Sequence, residues 1–251
     1  MKIGFIITAR MKSSRLKKKA TLKIFDRELI AWMLDRAKLS TAVSNIVIAT
    51  STNPQDDVLE EIAKRESVDY YRGSEEDVIE RLYEAAKKFD LDFFINITAD
   101  CPLFGFDYFE EVISYYKKTN ADLITSTDLP HGFFIYGLKT NTLRQIIENK
   151  NIKDTEVWGS LFNKEKFNVK ELPVDKNLIR ENFRLTVDYP EDFTFFEKVF
   201  HGLGEDTYKK TTPELIEFLD AHPEIVAINQ ECRDMYKKKW TEQETKTKKL
   251  G

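Results

Sequence analysis

Two cysteines, Cys101 and Cys232, and three histidines are all that a chain of 251 residues offers for disulfides or for zinc. Two isolated cysteines build neither a disulfide framework nor a CxxC metal site, and His131, His201 and His222 are too scattered for a histidine metal cluster. A reducing, cytoplasmic setting is the expectation. No apolar run approaches a membrane span, and the stretch Ile3 to Ile7 is shorter than a signal-peptide core. Excess positive charge is missing too. The chain has 39 basic against 43 acidic residues, a formal charge of -4, so no global field draws it to nucleic acid or an anionic membrane. Internal repeats and linkers rich in Pro, Gly and Ser are absent, and one domain over residues 1–251 is expected.

What is present is an ordinary globular composition, 41% apolar and 33% charged, long enough to bury a substantial core. Short β-branched runs alternate with amphipathic segments. Strands are expected at Ile3 to Thr8, Asn45 to Thr50, Val68 to Arg72, Phe93 to Ile97 and Asp122 to Thr125. Helices are expected between them at Glu28 to Leu39, Pro54 to Arg65, Glu76 to Phe89 and Asp107 to Lys118. This rhythm predicts an α/β fold: a mostly parallel sheet covered on both faces, with ligands at the strand C-terminal ends. After Ser126 the rhythm changes. Strands at Phe133 to Leu138 and Asn168 to Leu172 alternate with helices at Thr140 to Asn149 and Thr155 to Phe162, and residues 127–180 are expected to form an acceptor or dimerisation lobe. Leu185 to Val187 reads as a further buried strand, followed by helices at Pro190 to Gly202 and Pro213 to Ala221. The charged tail after Met235, with Lys237 to Lys239, reads as the solvated end of a helix.

Three constellations carry candidate chemistry. The stretch Thr8 to Lys19 follows the first strand and packs six cations and two serines into twelve residues without a glycine. Arginine forks and lysine point charges at a strand C-terminus suit a polyphosphate, and a solvated basic loop is the alternative. Asp100 stands just past the fourth strand, and Asp188 closes Arg184 Leu185 Thr186 Val187. Two carboxylates meeting at one sheet edge could hold Mg²⁺, whereas either one alone could equally cap the helix that follows it.

The loop Arg10 to Lys19 resembles the signature loop of the CMP-sugar synthetases, a group that includes CMP-Kdo and CMP-sialic acid synthetases. The nearest likeness is to cytidylyltransferases of the spore-coat polysaccharide type. Four more segments fit in the same order: Ile48 to Asp57, Arg72 to Val78, Ile97 to Leu103, and Leu185 to Asp192. The resemblance implies a nucleotidyltransferase fold, Rossmann-like with a small insertion lobe, and attack of an acceptor hydroxyl on the α-phosphorus of CTP. It further implies that Ala9, Arg10, Ser14, Arg15 and Lys19 hold the triphosphate, that Gly73 and Ser74 read the cytosine, and that Asp100 and Asp188 ligate Mg²⁺. Arg10, Lys19 and Asp100 are then the catalytic candidates. A homodimer and a 3-deoxy-2-keto sugar acid as acceptor are implied in the same way.

The departures from that pattern are specific. Lys12 stands where the family loop has Gly, and Lys17 and Lys18 stand where it has Pro-Gly, so an altered phosphate cradle is expected. His131, Phe134 and Tyr136 lie in a stretch where the family usually carries carboxylates, which implies a different acceptor surface. Cys101, beside Asp100, reads as a packing residue, since no base accompanies it. Three other functions stay open: a cytidylyltransferase acting on a polyol phosphate, a metal-dependent glycosyltransferase using Asp90 and Asp92 as a DxD pair, and a non-catalytic nucleotide-binding module. The DxD reading is weakened because the pair precedes its strand.

Overall fold

A computed structural model of the chain describes residues 1–13, 15–233 and 235–236. Ser14 and the tail from Lys237 onward, both singled out above, lie outside the described residues. The strands are β1 (Ile3–Thr8), β2 (Lys23–Ile24), β3 (Arg27–Glu28), β4 (Asn45–Ser51), β5 (Asp69–Gly73), β6 (Phe93–Thr98), β7 (Leu123–Thr125), β8 (Tyr136–Lys139) and β9 (Val169–Glu171). The α-helices are α1 (Leu29–Ala37), α2 (Asp57–Arg65), α3 (Val78–Lys88), α4 (Phe109–Thr119), α5 (Thr140–Asn149), α6 (Pro190–Leu203), α7 (Thr212–Ala221) and α8 (Pro223–Val226).

Seven strands form one sheet in the order β5-β4-β1-β6-β8-β7-β9. Neighbours among β5, β4, β1 and β6 are parallel, β8 runs antiparallel to both β6 and β7, and β9 is parallel to β7. The sheet is therefore mostly parallel and mixed, as the strand-helix rhythm implies. Alternation along β1 shows why both faces are covered. Phe5 and Ile7 pack with Met33, Leu59 and Phe109, whereas Ile6 packs on the other face with Ile79, Leu82 and Ile146. A further core joins α1 to the C-terminal helices, with Trp32, Phe196, Val199 and Leu215 in one cluster. The strands β8 and β9 of the 127–180 stretch belong to the main sheet.

Two local expectations are corrected. Thr155 to Phe162 is no α-helix; only a 3-10 turn, Trp158–Leu161, forms there. The backbone N–H of Thr155 bonds the Glu76 carbonyl at 3.3 Å, and its hydroxyl takes the Ile79 N–H at 3.0 Å and donates to Asp77 Oδ1 at 2.9 Å. Those contacts tie the segment to the start of α3 and override its helical spacing. Leu185 to Val187 is buried and extended but is no sheet strand. Leu185 N–H donates to the His131 carbonyl and Val187 N–H to the Asp100 carbonyl, each at 2.7 Å, so the segment straps two loops together beyond the strand ends. Gly132 (φ +102°) makes this approach feasible, because a Cβ there would fall 2.0 Å from the Leu185 carbonyl oxygen.

Candidate active site

Thr8 and Thr98 are register partners at the C-terminal ends of β1 and β6, so the basic loop and Asp100 leave the sheet side by side. The strap through Val187 brings Asp188 to the same edge. Lys19 Nζ lies 2.7 Å from Asp100 Oδ2 and 3.0 Å from Asp188 Oδ1, and an Arg15 guanidinium nitrogen lies 2.5 Å from the same Asp188 oxygen. The Thr98 hydroxyl donates to the remaining Asp100 oxygen. Neither carboxylate caps a helix. α4 is capped at Tyr108, and at the start of α6 it is Asp192 that accepts the N–H groups of Asp188 and Tyr189, at 2.9 and 3.0 Å.

Burial alone would push the Asp188 carboxyl up, but the charges of Lys19 and Arg15 reverse this and hold it well below the usual carboxylate range. Burial would likewise discharge Lys19, yet Asp100 and Asp188 outweigh it and raise the ammonium above its ordinary value. Carboxylate and ammonium both stay charged at neutral pH. The Cys101 thiol behaves oppositely: burial and then Asp100 push it well up, which leaves it a packing group and no nucleophile.

The glycine-free loop is shaped by other means. The Met11 N–H donates to Asp56 Oδ1 at 2.7 Å, and the Ser51 hydroxyl to Asp56 Oδ2 at 2.5 Å, so a fully buried carboxylate anchors the loop's first turn. At Lys18 the backbone takes the left-handed conformation, φ +56° and ψ +29°, which glycine would adopt without strain. The turn implied by the family's glycine is thus made by a lysine, and it delivers Lys19 to the carboxylates. Asp188 is held from behind by Arg184, which gives 2.9 Å bonds to both Asp192 oxygens and a 3.1 Å bond to Asp188 Oδ2. Arg184 and Asp192 are both buried, and Asn229 adds a 2.9 Å bond to Asp192.

Ala9, Arg10, Arg15, Lys19 and Asp100 line one cleft of about 420 Å³. The Ala9 N–H is committed to the Ala49 carbonyl at 3.1 Å, and Arg10 is tethered to the Glu75 carbonyl at 2.5 Å. Gly73 ends β5, and Ser74 turns its hydroxyl to the Asp77 N–H and its carbonyl to Arg81. Neither lines the cleft, whose corresponding wall is Glu76, Val78 and Arg81. His131, Phe134 and Tyr136 do come together, in a second cavity of about 460 Å³. The His131 ring stacks on Phe134 at 5.3 Å, and burial followed by the Arg184 charge lowers its pKa to about 4, which keeps the imidazole neutral. Both cavities share Arg15, Lys19, Thr98, Asp100, Glu156 and Trp158, so they meet at the ion-pair cluster. Asp92 instead takes the Lys2 N–H at the opposite end of β6, which removes the DxD reading.

Sequence reasoning passed over Asp56, Arg184 and Asp192 as individuals. Asp56 and Asp192 lie within Ile48 to Asp57 and Leu185 to Asp192, the segments that carry the family resemblance, and that position was the signal available. Trp158 lines both cavities.

Residues 4–193 match the sequence profile of a family described as cytidylyltransferase. The chain belongs to the cytidylyltransferase family. This cytidylyltransferase is 26% identical over 230 residues to the spore coat polysaccharide biosynthesis protein SpsF of Bacillus subtilis, a match covering 88% of this chain and 95% of that one. It is similar in structure to a cytidylyltransferase from Leptospira borgpetersenii, with a TM-score of 0.82 and 29% identity over 90% of this chain and 97% of that one. A CMP:2-keto-3-deoxy-manno-octonic acid synthetase solved with CTP shares the fold, with a TM-score of 0.65 and 16% identity over 81% of this chain and 100% of that one. The protein is a nucleotidyltransferase by family, and among its described residues no helix is long and apolar enough to cross a membrane.

Proposed function

We propose that the protein transfers CMP from CTP to a hydroxyl of a 3-deoxy-2-keto sugar acid and releases pyrophosphate. The observation that carries this reading is the meeting of two cavities at one cluster of Arg15, Lys19, Asp100 and Asp188. The first cavity, rich in cations, takes the triphosphate; the second, lined by rings, takes the acceptor.

A divalent cation fits the junction. Two hard carboxylates converge there, and an ammonium bonded to both already stands where positive charge is wanted. No group of three or more His, Cys, Asp or Glu gathers among the described residues, which suits Mg²⁺, an ion that takes one or two carboxylates plus substrate phosphates. Asp100 and Asp188 would hold it, and when bound it supplies charge to the phosphate oxygens and acidity to the acceptor hydroxyl. Arg15 and Lys19 exchange their carboxylate partners for phosphate oxygens as CTP enters. The acceptor hydroxyl oxygen then bonds the α-phosphorus and gives up its proton to solvent, while the bond from that phosphorus to the departing pyrophosphate breaks. The two cations stabilise the charge carried away on pyrophosphate. Arg184 and Asp192 keep the Asp188 carboxylate aimed, as supporting groups behind a metal ligand do. The likeness to SpsF, a spore coat polysaccharide biosynthesis protein, supports a product destined for a polysaccharide.

The test is pyrophosphate release from CTP with Mg²⁺ and a panel of acceptors. Release that requires both CTP and a keto-deoxy sugar acid is expected; release with a polyol phosphate alone would move the acceptor class. No release with any acceptor would refute the reading.

A further inference from the structure

The matched family region ends at residue 193, yet the chain beyond it returns to the site. After α8 and the 3-10 turn Ala227–Asn229, residues 230–233 and 235–236 are helical and bring Tyr236 into the second cavity. Asn229 fixes that path. Its side-chain amide donates to the Arg184 carbonyl at 3.0 Å and to Asp192 Oδ1 at 2.9 Å, the two residues that support Asp188. The Tyr236 ring lies 4.9 Å from the His131 ring, and the Arg184 guanidinium carbon stands 4.9 Å from its centre. From His131 the rings continue through Phe134 at 5.3 Å and Tyr136 at a further 5.5 Å to Trp158 at 5.1 Å. Tyr236 therefore closes an unbroken aromatic wall at the end that touches Arg184, which itself bonds Asp188.

We infer that Tyr236 is an acceptor-recognition residue, and that the acceptor lays a carbon-rich face, a deoxy methylene or an acyl methyl, against the wall it completes. Ring faces gain contact and apolar burial from such a face, whereas a fully hydroxylated edge would lose hydrogen bonds to water there. The hydroxyl side of the acceptor is then left toward Asp100 and Asp188. This deepens the reading above and rests on it.

The experiment measures pyrophosphate release by the full chain with CTP, Mg²⁺ and 3-deoxy-manno-octulosonate or N-acetylneuraminate as probe acceptors. Tyr236→Ala is expected to raise the acceptor KM about tenfold while the KM for CTP moves less than twofold. Tyr236→Phe, which keeps the ring, is expected to recover most of that loss. An unchanged acceptor KM in Tyr236→Ala overturns the inference alone. So does a parallel rise in both KM values with a lowered thermal midpoint, which marks a structural plug. A wild-type protein that releases no pyrophosphate with any acceptor overturns the transferase reading, and this inference with it.

Discussion

At the scale of single residues, the two carboxylates of the cluster differ in what they hold. Asp100 is partly exposed and bonded to Lys19 and Thr98, whereas Asp188 is buried among Arg15, Lys19 and Arg184. Asp100→Asn should therefore lower turnover by at least about 100-fold with little change in thermal midpoint, a loss comparable to removing a charge-stabilising group. Asp188→Asn should lower turnover similarly and also cost on the order of 3 kcal/mol of stability, because Arg15 loses its carboxylate partner and Lys19 and the buried Arg184 are left with Asp100 and Asp192 alone. Turnover assays and thermal unfolding on both variants check this. Equal, large stability losses in both would show that Asp100 also serves the fold. The sequence made both aspartates legible as a pair, through their matching positions after apolar segments. It did not reveal Arg184 or Asp192, since a buried ion pair leaves no periodic trace.

At the scale of elements, the loop makes its left-handed turn without a glycine. Lys18 holds φ +56° because the Lys18 carbonyl is fixed by the Thr21 N–H at 2.9 Å and the Thr21 hydroxyl at 3.0 Å. A residue other than glycine in this conformation costs about 1 kcal/mol. Lys18→Gly is therefore expected to raise stability by up to about 1 kcal/mol, less what glycine adds to the entropy of the unfolded chain. A chemical denaturation midpoint that falls on this substitution would contradict the account. The start of α7 offers a pH test. The Thr211 N–H, the Thr211 hydroxyl and then Lys210 lower Glu214 from 4.5 to about 2. Its folded pKa lies below its unfolded one, so the stabilisation is full above about pH 4.5 and is lost as pH falls toward 2. The gap in thermal midpoint between wild type and Glu214→Gln should thus be constant from pH 6 to 8 and narrow below about 4.5. A gap that persists undiminished in acid would contradict the assignment. The α7 helix was readable, expected at Pro213 to Ala221 and found at Thr212–Ala221. The missing helix at Thr155 to Phe162 was not, because long-range bonds of Thr155 to the start of α3 decide it.

At the scale of the molecule, the parallel half of the sheet was legible because β1, β4 and β6 carry apolar residues on both faces and each intervening helix carries apolar residues at three- and four-residue spacing. The reversal of β8 and the strap at Leu185 to Val187 were not, since both depend on which distant backbone groups pair. The same limit hid the C-terminal return of Tyr236. What the whole fold accomplishes is convergence: β1, β6 and the strap deliver a lysine and two aspartates to one point, with a cavity on each side.

The most direct test of that convergence is Mn²⁺ binding, measured by electron paramagnetic resonance in the presence and absence of CTP. Lys19 occupies both carboxylates until phosphate oxygens draw it away, so the account predicts weak Mn²⁺ binding alone, strong binding with CTP, and loss of the CTP-dependent site in Asp100→Asn. Equal Mn²⁺ affinity with and without CTP, untouched by Asp100→Asn, would contradict it.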